Sequence, residues 1–255
     1  MVYDPRWAAI RRGRGDLPPI VSGLQFFGDL SSPLTSIVSG AVATLGDASG
    51  NGRSVTQGTA AKRPTYTASD ANFGGRPSMT FDGVNDFLSR SAFQWPGTAL
   101  TVFYLFRAAG VASADQRIFG ARAGMISLTP LFAYLANATL QANIQNPTDG
   151  SHVSLWTLLV GTVAANTTYR GCTTFDITSS SAITSAYVNG TPAGSLAGSI
   201  TPGASFGSAA FGIGGTDVGS SLFAGNIVDP IVYSRVLSPT EIAQVDAWLR
   251  WRNGL

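Results

Sequence analysis

Few side chains in this sequence have the chemistry of a nucleophile, a general base or a soft-metal ligand. His152 is the only histidine and Cys172 is the only cysteine. A Ser-His-Asp triad would have to use His152, which lies in a polar turn before a predicted strand. One thiol and one imidazole do not make a zinc site. We therefore interpret His152 as an exposed loop residue and Cys172 as a small residue of the core.

Aromatic side chains near predicted turns offer a second kind of chemistry, because a ring can stack against a sugar. Trp95 lies in the stretch FQWPGT and is the best candidate for an exposed ring. The alternative is a rim residue that packs against the edge of the domain. The candidates for a glycan-binding surface are Trp95, Trp156, Tyr66 and Phe73.

Composition narrows the class of protein. A net charge of +2 over 255 residues is too small to indicate a nucleic-acid partner. A single cysteine excludes an intramolecular disulfide. No apolar run approaches the length that spans a membrane, and the N-terminus lacks an apolar signal core. We expect synthesis in the cytoplasm, no membrane insertion and no nucleic-acid partner.

The elements that must position these residues are predicted to be short strands. The chain has 30 glycines and 13 prolines, and turn signals recur about every 8–12 residues, which favours a sandwich or jelly roll. Ala99–Ala108 is apolar on both faces and predicts a strand buried between layers. Asn189-Gly190 predicts a hairpin.

The stretch FDGVNDFLSR, Phe81 to Arg90, contains a turn that is either a ligand site, such as a metal cradle, or only a hairpin between two strands. Asp82 can accept hydrogen bonds from backbone amides two residues on, and Gly83 supplies a permissive backbone. Asn85 tolerates a left-handed conformation. These features favour a structural turn.

The two ends of the chain differ in predicted structure. Residues 1–20 are rich in proline, glycine and arginine and predict an extended N-terminal arm. Near the C-terminus, SPTEIAQVDAWLRWR predicts a helix in which Ser238 and Glu241 form a capping box. Its apolar residues at helical spacing should pack on the sandwich, and Asn253-Gly254 should end it.

Segments in a fixed order resemble the concanavalin A-like, laminin-G-type jelly rolls of bacterial and phage proteins. They are GDASGNGRSVTQ with RPTY, GGRPSMTFDGVNDFL, YVNG, and FAGNIVDPIVYSRVLSPTEIAQVDAWLRWR. The resemblance implies an all-β fold, an antiparallel jelly-roll β-sandwich with one C-terminal α-helix. It also implies a laminin-G-like domain at residues 21–255, preceded by the extended arm at residues 1–20.

The resemblance implies two kinds of site. In its hydrolase branch, alternating acidic residues on one strand, mostly glutamates, cleave glycans, whereas Glu241 is the only glutamate here and belongs to the helix cap. An aspartate pair from different strands stays open. Laminin-G-type folds often hold Ca2+ where the first and last strands meet, which implies Asp47 and Asp229 as its ligands. The alternative is that Asp47 and Asp229 both cap turns. In the family, a glutamate often stands at or beside the position of Asp229.

Three functions stay open at this stage. The first is a non-enzymatic virion structural protein of a phage-like particle, either a head decoration, a spike or a tail-associated adhesin. It would be made in the host cytoplasm and belong to an oligomer or larger assembly. Its N-terminal arm would contact other virion proteins, and its domain would contact host surface polysaccharide. The second is a stand-alone lectin-like carbohydrate-binding module, and the third is a glycan-cleaving enzyme.

Overall fold

The computed structural model describes residues 17–95, 97–110, 116–121, 129–136, 138–145, 158–179, 181–199, 206, 208–216 and 219–255. Strands dominate these residues, with two single-turn 3-10 helices at Ala60–Lys62 and Ala71–Phe73. The strands and the α-helix are β1 (Leu24–Phe27), β2 (Ser36–Val38), β3 (Ala41–Leu45), β4 (Val55–Thr56), β5 (Thr65–Asp70), β6 (Arg76–Asp82), β7 (Leu88–Gln94), β8 (Ala99–Ala108), β9 (Gln116–Ala121), β10 (Thr129–Ala136), β11 (Thr139–Gln145), β12 (Leu158–Thr162), β13 (Thr168–Asp176), β14 (Ser181–Val188), β15 (Thr191–Ser199), β16 (Ser208–Ile213), β17 (Ala224–Tyr233) and α1 (Pro239–Arg252).

The strands form two layers. The first has the order β5–β6–β17–β8–β13–β14–β15, and β1 pairs with the last residues of β17. The second has the order β4–β7–β16–β9–β10–β11–β12. Strand β3 pairs with both β4 and β5 and joins the layers at one edge. These pairs are all antiparallel, which confirms the predicted jelly-roll sandwich.

Strand β8 is the centre of the first layer and has the predicted bounds, Ala99–Ala108. Leu100, Val102 and Tyr104 lie in the main core, together with residues of the second layer such as Phe211. Phe103 lies on the opposite face of the strand, under the helix. The prediction of a strand buried on both faces is therefore confirmed.

Helix α1 covers the outer face of the first layer. Ser238 and Glu241 form the predicted capping box, and Asn253 is the C-cap. Phe27 and Trp248 meet edge to face with ring centres 5.6 Å apart. Each large apolar side chain buried in such a contact contributes about 1.5–3 kcal/mol. The helix packs on the sandwich through Ile242, Val245, Trp248 and Leu249.

Of two predicted turns, one forms as the sequence indicates and the other differs. Asn189 and Gly190 both have positive φ, 52° and 80°, as a type I′ hairpin requires. The Phe81–Arg90 turn is different: β6 pairs within the first layer and β7 within the second, so the turn links the layers and is no hairpin. The left-handed conformation belongs to Gly83, with φ 74°, and not to Asn85.

The end of the predicted arm packs on the domain, while residues 1–16 lie outside the described residues. Leu17 and Ile20 pack against the cluster under the helix. The hydroxyl of Tyr233 donates a hydrogen bond of 3.0 Å to the Ile20 carbonyl. In the described part of the chain, no helix has the length and apolar character needed to cross a membrane.

Candidate functional site

The loop of residues 46–54, between β3 and β4, is held by the carboxylate of Asp47. This side chain is buried, and its Oδ1 accepts hydrogen bonds from the backbone amides of Phe27 (3.1 Å) and Ser49 (3.0 Å). Its Oδ2 accepts from the backbone amide of Arg53 at 2.8 Å. Three backbone amide donors hold this carboxylate and fix the loop around it. Asp47 is thus a loop-capping residue, the second of the two predicted interpretations.

Asn51 pins the same loop to strand β1. Its Nδ2 donates to the carbonyl of Leu24 at 3.0 Å and to that of Gln25 at 3.2 Å. The Asp-x-Ser-Gly-Asn-Gly block therefore forms a loop that is tied to strand β1 near both of its ends. Arg53 follows directly in the chain, so its position is set by this loop.

Arg53 lies beside a second arginine at the rim of the sandwich. The Nη1 of Arg90 donates to the carbonyls of Gly52 (3.1 Å) and Ser54 (3.3 Å), the residues on either side of Arg53. The Nη1 of Arg53 is buried and has no hydrogen-bond partner among the residues that the structure describes. Burial lowers the pKa of Arg53, Asp47 opposes this, and the charge of Arg90 adds to it. Two like charges are thus held together at this rim.

An aromatic cluster lies under Arg53. The guanidinium carbon lies 5.0 Å from the centre of the Phe93 ring, within cation–π range. Phe93 and Trp95 have ring centres 4.4 Å apart, and both contact Phe211 of β16. Trp95 is only 3% exposed, so the expectation that it is an exposed ring is wrong. The ring is buried because it fills the end of the core between two strands of the second layer, as the rim alternative described.

The other described candidate aromatics, Phe73 and Tyr66, are buried or half-buried. Phe73 is fully buried and packs with Leu105 and Val228 in a separate small cluster. A ring without an exposed face cannot stack on a sugar, so the expectation for Phe73 is also wrong. Tyr66 is half-buried and packs against the main core. Trp156 lies outside the described residues.

Asp229 joins a buried network of charges at the end of the helix. It has φ 46° and lies at an irregularity in the pairing of β17 with β8. Its Oδ2 accepts from the Nε of Arg252 at 2.9 Å and from the Nδ2 of Asn253 at 3.0 Å. The Nη2 of Arg252 also donates to Oδ1 of Asp29 at 2.8 Å. Burial raises the pKa of Asp29, Arg252 lowers it, and Asp229 raises it.

The donor set around the two predicted calcium ligands does not fit a calcium ion. Strands β1 and β17 do meet here, because Gly28 bridges to Asp47 and donates to the Pro230 carbonyl at 2.9 Å. Calcium takes six to eight oxygen ligands, but the Asp47 oxygens accept backbone amides and Asp229 faces a guanidinium. Among the residues that the structure describes, no three His, Cys, Asp or Glu side chains form a metal-binding group. The positive charge beside Asp229 is supplied by Arg252.

The turn between β6 and β7 contains two aspartates with divergent pKa values. Burial raises the pKa of Asp86 to about 6, and the charge of Asp82 adds to the rise. Burial opposes the effect of the backbone amides at Asp82, but the amides outweigh it and lower its pKa. Oδ1 of Asp82 accepts from the amides of Val84, Asn85 and Asp86, and Oδ2 of Asp86 accepts from the Asp82 amide at 3.1 Å. These contacts are those of turn capping, as predicted for Asp82.

A family model described as the concanavalin A-like lectin/glucanases superfamily, of laminin G type, matches residues 82–243, which is more than half of the chain. This chain belongs to that superfamily. No curated protein matches the sequence.

Solved structures with the same fold come from binding domains and from enzymes. The receptor-binding domain of botulinum neurotoxin D has 11% identity and a TM-score of 0.61, over 89% of this chain and 53% of that one. The binding domain of Paraclostridial Mosquitocidal Protein 1 has 12% identity and a TM-score of 0.59, over 88% and 52%. The chain thus spans about half of each. Domain 4 of the Geobacillus stearothermophilus arabinanase AbnA, solved with arabinotriose, has 14% identity and a TM-score of 0.56, over 88% and 98%. At these identities the likeness shows the fold alone.

Sequence reasoning missed the arginines that stand out in the structure. Arg53 follows the Asp-x-Ser-Gly-Asn-Gly block directly, and that position was a usable signal. Arg90 ends the turn segment that drew attention only for its aspartates. Arg252 precedes the helix stop, where a cation near the C-terminus was to be expected, but nothing local indicated a carboxylate partner in β17. Each arginine makes its main contact with a residue that is distant in sequence.

Proposed function

We propose that this chain is a non-enzymatic carbohydrate-binding domain. The observation that carries the proposal is the rim formed by Arg53 and Arg90. Backbone carbonyls hold Arg90 in place there, and the side chain of Arg53 has no acceptor among the described residues. Binding sites for sugars and other small ligands use a few well-placed polar groups on a preformed surface. Membership of a superfamily that contains lectins is in accord with this proposal. A second support is the arabinanase domain that was solved with arabinotriose, because the structural match covers nearly all of that domain.

The contacts of four described carboxylates support binding rather than hydrolysis. A glycosidase needs two carboxyl groups that flank the scissile bond. Asp47 caps a loop, Asp229 pairs with Arg252, and Asp246 pairs with Arg170 at 2.9 Å. Glu241 pairs with Arg235 at 2.6 Å and completes the helix cap. These carboxylates have structural partners within the protein.

A glycan microarray probed with the full chain tests the proposal. We expect binding to at least one class of glycan, and we expect no new reducing ends when that glycan is incubated with the protein for a day. Failure to bind any glycan on an array that covers neutral, uronate-containing, sialylated and sulfated classes would overturn carbohydrate binding. Release of reducing ends that survives repurification would overturn the absence of catalysis.

The virion role stays a prediction from the sequence, with the arm as the contact to other virion proteins. A variant without residues 1–16 tests this role. It keeps Leu17 and Ile20, because these two residues pack on the domain. A particle that loses this protein on deletion of residues 1–16, while the isolated variant keeps its melting temperature, would support the prediction. Full occupancy of the particle would contradict it.

A further inference from the structure

We propose that the guanidinium groups of Arg53 and Arg90 form a binding site for the carboxylate of an acidic sugar residue. The inference rests on the proposed function, because it names the class of glycan that the same rim recognises. Neither the family match nor the related structures assign a ligand to these two arginines.

The first support is the missing counter-charge. Within the described ranges, Arg53 and Arg90 form no ion pair, although they interact electrostatically with each other. Four other arginines are paired with carboxylates: Arg76 and Arg252 with Asp29, Arg170 with Asp246, and Arg235 with Glu241. Arg63, Arg107 and Arg250 donate instead to other oxygen acceptors of the protein, which the side chain of Arg53 does not do among the described residues. The nearby Asp47 reduces the positive charge of the rim but does not cancel it, and its oxygens accept backbone amides. An anion from outside the protein would supply the missing partner.

The second support is the unused hydrogen-bonding capacity of Arg53. Among the described residues its side chain makes no hydrogen bond: Nη1 is buried without a partner, whereas Nε and Nη2 are not buried. Because Nη1 is closed to solvent, the acceptor oxygens of a ligand would pair with Nε and Nη2. The planar fork of a guanidinium matches the two oxygens of a carboxylate. A sugar carboxylate therefore fits this group better than a neutral hydroxyl.

The third support is that the site is both fixed and open. The Asp47 carboxylate and the Arg90 guanidinium hold the backbone around Arg53 from two sides, and the ring of Phe93 supports its side chain. Residues 50–52 of the same loop are exposed, and a Cβ atom added to Gly50 or Gly52 would meet no atom of the described residues within 4 Å, so this loop leaves room for a ligand beside it. A donor that is already fixed loses little entropy when a ligand binds.

The low net charge argues for a sugar rather than a polyanion such as nucleic acid. The chain carries a net charge of +2, and the rim holds a pair of cations rather than a long basic stripe. A polyphosphate backbone needs several cations along its length. One carboxylate needs one arginine fork and one neighbouring positive charge, which is what the rim offers.

The test is a glycan microarray that carries uronate-containing, sialylated, sulfated and neutral glycans, probed with four full-length proteins. They are the wild type, Arg53→Gln, Arg53→Lys and the matched control Arg250→Gln, which removes an exposed charge from helix α1. Because the Arg53 side chain makes no hydrogen bond within the described part of the chain, Arg53→Gln should fold, and its melting temperature checks this. Affinities for the best carboxylated glycan are then measured by calorimetry.

We expect the wild type to prefer carboxylated glycans over neutral ones. Arg53→Gln should weaken that binding at least about tenfold, Arg53→Lys should lie between, and Arg250→Gln should match the wild type. Raising the salt from about 0.05 to 0.5 M should weaken it too. Binding to neutral or sulfated glycans alone, or carboxylated binding that Arg53→Gln leaves unchanged, would overturn this inference but leave the proposed function. Binding to no glycan would overturn both.

Discussion

The Nε atom of Arg252, in the last turn of helix α1, lies 2.9 Å from Oδ2 of Asp229 in strand β17. The side chains are 2% and 3% exposed, and Arg252 also pairs with Asp29. This buried contact joins the end of helix α1 to the first layer of the sandwich. It also lies where the family resemblance implied a metal ion, and Arg252 supplies a positive charge beside Asp229 there.

Replacing Arg252 by methionine should destabilise the domain strongly. The change keeps a long apolar side chain but leaves Asp29 and Asp229 buried without their main partner. Breaking a buried pair in this way costs about 3–5 kcal/mol. Urea denaturation of Arg252→Met measures the loss in free energy of unfolding, with Arg250→Met as the exposed control. A loss below about 1 kcal/mol would mean that the network does not hold the helix.

Calcium should not stabilise this domain through Asp47 and Asp229. Both carboxylates accept hydrogen bonds from protein donors, and a ligand that binds the folded state must raise the melting temperature. We expect the same melting temperature, within about 1 °C, in EDTA and in excess calcium. A calcium-dependent rise that Asp229→Asn abolishes would show that the carboxylate exchanges Arg252 for the metal.

The turn at Asp82 and Asp86 should make stability depend on pH with a definite sign. The pKa of Asp86 is raised to about 6 in the folded protein, so the stabilising effect of its proton is fully present below the unfolded value of 3.8. That effect is lost as the pH rises through about 6. The Asp86→Asn variant keeps an acceptor for the Asp82 amide and never ionises. Its stability relative to wild type should therefore increase by about 1–2 kcal/mol between pH 4 and pH 7.

The neighbouring Asp82 supplies the comparison of opposite sign. Its pKa is lowered because backbone amides outweigh burial, so its contribution is present at neutral pH and lost in acid. Thermal melts of Asp82→Asn should show a deficit against wild type that grows from pH 3 to pH 6. The same trend for both variants would refute the separate environments of the two carboxylates.

Gly171 should not tolerate a side chain. It pairs with Tyr104 across β13 and β8, and an added Cβ would run into the Tyr104 ring. That ring cannot easily move, since its hydroxyl is buried and lies 3.1 Å from Oγ1 of Thr173. Gly171→Ala should lower the free energy of unfolding by about 1–3 kcal/mol in a denaturant titration. The exposed Gly58, where an added Cβ meets nothing within 4 Å, provides the control, and equal effects at both sites would contradict the close packing.

Local sequence patterns predicted much of the fold. The bounds of β8, the Ser238–Glu241 cap and the Asn189-Gly190 turn depend on a few adjacent residues, and each is present as predicted. The site was harder to predict because its contacts are long-range. Trp95 is buried by Phe211, more than a hundred residues later in the chain, and Asp229 is paired by a residue of the terminal helix. A stretch such as FQWPGT contains no information about either partner.

The most direct test of recognition at the rim is an NMR titration that follows the arginine Nε–Hε resonances of the full chain. Sodium glucuronate is the probe, glucose is the neutral control, and Arg53→Gln assigns the Arg53 signal. We predict that glucuronate shifts the Arg53 signal saturably, that glucose does not, and that the Arg250 signal stays in place. An Arg53 signal that does not move, or that moves no more than the Arg250 signal, would contradict carboxylate recognition at this site.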